Sequence, residues 1–172
     1  MRNRFWLTYV ILLVAQIILG DMLNLTQAVT LIFLPVMILS LPITMSTNTV
    51  MLIAFGTGLA ADFFTRGQLG LCALSLVPVA LCRGLIIRLI FGNELVSRKE
   101  DLSIRRHGLP RMTLCILIAT ALFFAIYVPV DCAGTRPFSF ILLRFLLSTL
   151  VSVVVSLFIA GLLTPKETDR WN

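Results

Sequence analysis

The chain has 172 residues, of which 59% are hydrophobic and 13% charged, with a mean hydropathy of +1.02. Residues this apolar cannot cover a soluble surface with polar groups, so the composition excludes an ordinary water-soluble domain and defines an integral membrane protein. A net charge of +6 would suit a phosphate backbone, but most basic residues fall in two termini and one loop. That is the pattern of a cytoplasmic membrane face, which argues against nucleic acid as a partner.

At about 20 residues per helical crossing, this length supplies about six spans and leaves no separate catalytic domain. The first is predicted over 5–20, behind Arg2 and Arg4; Ile18 stands where a signal-peptide cleavage site needs a small residue, so the helix is read as uncleaved with its N-terminus inside. The second, over 28–42, is interrupted by Pro35 and ends near Pro42, which predicts a helix kinked at Pro35. The third, over 49–64, carries Gly56 and Gly58, small residues that let another helix approach closely.

Asp62 is the one acid placed inside a span. A carboxylate there costs several kcal/mol unless it is paired or hydrated. Two bases could relieve it: Arg66, four residues on, and Arg144, about 10 Å inside the sixth span at a similar depth. An interhelical Asp62–Arg144 ion pair near the outer leaflet is the sharper expectation.

The fourth span is predicted over 69–91, with Arg83 in its second half, roughly 20 Å from the outer boundary and within snorkelling reach of cytoplasmic headgroups. The stretch 92–110 is the main polar loop. Arg98, Lys99, Arg105 and Arg106 mark it as cytoplasmic, and Leu95, Leu102 and Leu109 recur every seventh residue. It reads as an amphipathic helix on anionic lipid or as a docking surface for a cytoplasmic partner. The fifth and sixth spans follow over 111–130 and 138–163, and Lys166 and Arg170 place the C-terminus inside.

No catalytic constellation is visible. His107 stands alone in the polar loop, Ser75 has no base within helical reach, and the acids are scattered. The cysteines, Cys72, Cys82, Cys115 and Cys132, stand singly, without the spacing of a metal site or redox pair. Neither a cofactor nor a metal is expected.

The run Gly58, three residues, Asp62, then Gly67, Leu69 and Gly70 opening the next span, with Arg83 soon after, resembles the central motif of the rod shape-determining protein MreD family. Length, six predicted spans and cytoplasmic termini resemble that family too. The sequence lacks an Arg-Pro pair before the second span, reading Gln27 to Thr30 there. The resemblance implies an all-α bacterial inner-membrane protein, similar in fold to the substrate-binding subunits of energy-coupling-factor vitamin transporters. It implies a non-enzymatic scaffold of the cell-elongation complex that binds MreC and helps couple MreB filaments to peptidoglycan synthesis by RodA and its transpeptidase. A vitamin-binding transporter subunit is the alternative, but Ile11, Ala15 and Leu19 do not give the first helix the small residues spaced by four that such subunits carry. A lipid or cell-wall precursor transporter is a third class, for which Asp62, Arg83 and Arg144 would have to line the path.

Overall fold

The computed structural model describes residues 2–23, 30–42, 45–64, 68–92, 109–132 and 137–163. These form six α-helices: α1 (Arg2–Leu23), α2 (Leu34–Leu39), α3 (Thr47–Phe64), α4 (Leu71–Phe91), α5 (Leu109–Asp131) and α6 (Phe138–Leu163). Four of them, α3 to α6, are long and apolar enough to cross a membrane, and α1 contributes a shorter apolar stretch, Trp6–Gly20. The molecule is a helical membrane protein.

Each long helix turns one stripe inward and leaves the rest to lipid. On α5, Met112, Cys115, Ile116, Ala119, Phe123, Phe124 and Val128 are buried at the three- and four-residue spacing of one helical face. Phe123 and Tyr127 stack at 5.5 Å within that face. On α6 the outward side chains include Leu143, Leu150, Val154 and Phe158, each more than half exposed. Large apolar side chains directed outward are the normal lipid-facing surface of a spanning helix. Helices α3, α4, α5 and α6 pack successively, each against the next, while α1 is held through the seam of Tyr9, Leu12 and Gln16.

The second predicted span is not a spanning helix. Residues 30–33 are non-helical, and α2 is only six residues long, with Pro35 in its first turn. Proline fits there because the first amides of a helix have no intrahelical acceptor, so Pro35 begins a helix where a mid-helix kink was predicted. All six α2 residues are buried, and α2 touches each of the other five helices. The shortest element is therefore the centre of the bundle.

Helices α3 to α6 begin and end within two residues of the ranges predicted for the third to sixth spans, while α1 starts before and ends after its predicted range. Arg66, Gly67, and the loop with Arg98, Lys99, Arg105 and Arg106 lie outside the described residues, as does the chain after Leu163. Of the two glycines predicted to admit a neighbour on α3, only Gly58 does so. A Cβ on Gly58 would lie 2.5 Å from the Cα of Ala73 and 2.6 Å from its nitrogen, whereas one on Gly56 would meet nothing within 4 Å.

Candidate functional site

Gly58, Asp62 and Gly70, three of the residues that the sequence singles out, come together at one end of the α3–α4 pair. There α3 turns into α4 through Gly70, whose φ of +91° is the left-handed conformation that glycine adopts without strain. This turn brings the start of α4 back over the last turns of α3. Asp62 is 4% exposed, and its carboxylate accepts from the Cys72 amide at 3.1 and 2.9 Å and from the Ala73 amide at 3.3 Å. The acid of one helix thus caps the N-terminus of the next, where free N–H groups and the helix dipole favour negative charge. Gly58, one turn before Asp62, makes room for the same Ala73. Gly58, Asp62 and Gly70 therefore act as one unit: a close contact, a cap and a turn. Leu69, in the turn itself, is largely exposed.

Arg144 does not serve Asp62. Its Nη1 lies 2.7 Å from Oδ2 of Asp131, at the end of α5, and 3.3 Å from Sγ of Cys132. Its Nη2 donates to Oγ1 of Thr30 at 3.0 Å. The predicted Asp62–Arg144 pair is corrected on both sides: the acid is satisfied by α4 backbone amides, and the base joins α6 to the end of α5 and to the start of the central segment.

The central segment is held by side chains, since residues 30–33 form no helix of their own. The Thr30 amide donates to Oγ of Ser148 at 3.0 Å, and the Ile32 amide to Oγ of Ser152 at 3.2 Å. On the opposite side, Gln16 donates from Nε2 to the Leu31 carbonyl at 3.1 Å and accepts at Oε1 from the Phe33 amide at 3.0 Å. Alternate residues facing opposite sides is the habit of an extended chain. The Gln16 carboxamide thus takes the place of a peptide group in a neighbouring strand. Non-helical backbone at membrane depth is tolerated when it is buried in protein and its polar groups are satisfied, and Gln16, Ser148 and Ser152 meet that condition.

Arg83 closes the other end of the segment. It is 5% exposed, and its Nη2 donates to the carbonyls of Leu39, at 3.4 Å, and Leu41. A cation at the C-terminal end of a helix complements the dipole and supplies donors to the last carbonyls. The snorkelling anchor predicted for Arg83 is therefore replaced by an inward-facing role, tying α4 to the end of α2.

Gln16, Ser148 and Ser152 were not among the residues singled out from the sequence. A signal was present: Arg144, Ser148, Ser152 and Ser156 recur at four-residue intervals along α6, a polar stripe on an otherwise apolar helix. Among the described residues no cluster of His, Cys, Asp or Glu could hold a metal ion.

No protein-family model matches the chain, and no curated protein and no solved structure matches it significantly. The class defined by fold and site is a polytopic helical membrane protein with a broken, side-chain-tethered segment at its centre.

Proposed function

We propose that this protein is a non-enzymatic inner-membrane scaffold of the bacterial cell-elongation complex, as the resemblance to the MreD family implies. The observation that supports the reading is the interlocked α3–α4 hairpin. Three of the residues that carry the resemblance, Gly58, Asp62 and Gly70, are joined through the start of α4 by contact, cap and turn. A motif used in this way fixes the relative position of two helices, which suits a protein whose task is to present rigid apolar faces to partner spans. In this reading both termini and the loop 92–110 are cytoplasmic. MreC is the membrane partner, MreB meets the loop, and RodA with its transpeptidase completes the assembly.

Affinity purification of the full chain from native membranes, with identification of what accompanies it, tests the proposal. Co-purification of MreC, reduced when Gly58→Leu splays the hairpin, is the expected result. Absence of MreC from such a preparation, with a small molecule retained stoichiometrically instead, would overturn it.

A second reading has one observation in its favour. Thr30, Asp131 and Arg144 gather where a broken backbone segment begins, and interrupted helices in transporters accompany substrate sites. In this reading the protein is a vitamin-binding subunit of the energy-coupling-factor type, with the corresponding six-span fold, and the retained small molecule is its signature.

A further inference from the structure

Two rungs of the α6 stripe carry the central segment: Ser148 takes the Thr30 amide and Ser152 the Ile32 amide. The spacing explains why. Four residues of helix advance about 6 Å, and two residues of extended chain advance about 6.6 Å, so hydroxyls at every fourth helical position match alternate amides of an extended strand. Continued by one step, this pattern pairs Leu34 with Ser156.

Ser156 is fully buried, and its hydroxyl has no hydrogen-bond partner among the described residues. Leu34 begins α2, and the first amides of a helix lack intrahelical acceptors. Phe33, the residue between, has ψ of 10°, which turns the chain into the helix and swings the following amide out of the line of the ladder. The two groups thus continue the register, but the geometry of the turn prevents the direct bond made at the other rungs. Buried polar groups in native proteins are almost always satisfied, by ordered water where protein groups do not reach.

We infer that Ser156 is the third rung of the ladder and holds one buried water molecule that links its hydroxyl to the Leu34 amide. This water site marks the point at which extended backbone becomes helix, in the middle of the bundle. It stands independently of the proposed function, since it concerns only how α6 satisfies the central segment.

Amide hydrogen exchange, read by nuclear magnetic resonance on the full chain in lipid nanodiscs, tests it. In Ser156→Ala the Leu34 amide should exchange roughly tenfold faster, the change expected on losing one buried hydrogen bond, with Ile32 unaffected. Ser156→Thr, which keeps the hydroxyl, should restore slow exchange. If Ser156→Ala does not fold, Ser156→Cys reads the same amide with a much weaker hydrogen-bonding group. Unchanged exchange at Leu34 in the folded variant overturns the assignment, whatever happens to overall stability.

Discussion

Both carboxylate oxygens of Asp62 accept the amide hydrogen of Cys72, at 3.1 and 2.9 Å, so the acid of one membrane helix is the cap of the next. Asp62→Ala removes a cap and leaves buried amides unsatisfied, and should lower stability by about 1–2 kcal/mol. Asp62→Asn keeps one acceptor oxygen and should lose less. Thermal unfolding of both variants in the same detergent checks the order.

Gly58 and Gly56 are two residues apart on α3 and should respond oppositely to the same change. Gly58→Ala drives a methyl group into the Ala73 backbone and should destabilise by about 1–3 kcal/mol. Gly56→Ala meets nothing within 4 Å and should be neutral or stabilising by up to about 1 kcal/mol, from helix propensity alone. Unfolding midpoints of the pair measure the contrast.

The tethers of the central segment should be costly to cut. Ser148→Ala or Ser152→Ala leaves a backbone amide without its acceptor and should lower stability by about 1–3 kcal/mol each. Gln16→Leu removes a donor and an acceptor together and should cost more than either serine. Protease resistance of the solubilised protein, compared across the three, provides the measurement.

Arg83 serves carbonyl groups, and geometry matters more there than charge. Arg83→Lys keeps the charge but loses the planar fork, so it should recover only part of the stability lost in Arg83→Met. Equal stability of the lysine variant and the unaltered chain would show that charge alone suffices.

The Arg144–Asp131 pair is mostly buried, with 15% and 25% of the side chains exposed. A double-mutant cycle with Arg144→Gln and Asp131→Asn should give a coupling of about 1 kcal/mol or more, above the usual value for exposed pairs. The same cycle between Arg144 and Asp62 should give a smaller coupling, because the two have separate partners.

The long helices were legible in the sequence because each is a continuous apolar run closed by polar or glycine-rich turns, and α3 to α6 begin and end close to the predicted residues. Pro35 was recognised as an interruption, but its consequence was not. Whether proline kinks a helix or begins a new one depends on what satisfies the preceding backbone, and the serines that do so lie 118 and 120 residues later in the chain. Asp62 was recognised as needing relief. The relief came from amides rather than a base, because Gly70 folds the start of α4 back over it, and a count of charges carries no trace of backbone donors. Arg83 was assigned outward for a related reason: its acceptors are carbonyls, which every residue possesses and none advertises.

The hydrogen bonds between Thr30 and Ser148, and between Ile32 and Ser152, have a consequence for biogenesis. At roughly 5–20 residues per second, a ribosome reaches these serines between about 6 and 24 seconds after making the residues they hold. Throughout that interval the Thr30 and Ile32 amides lack the acceptors that hold them in the folded protein, so burying them in lipid would leave polar groups unsatisfied. A helix made long after the central segment is the one that allows the middle of the protein to enter the membrane interior.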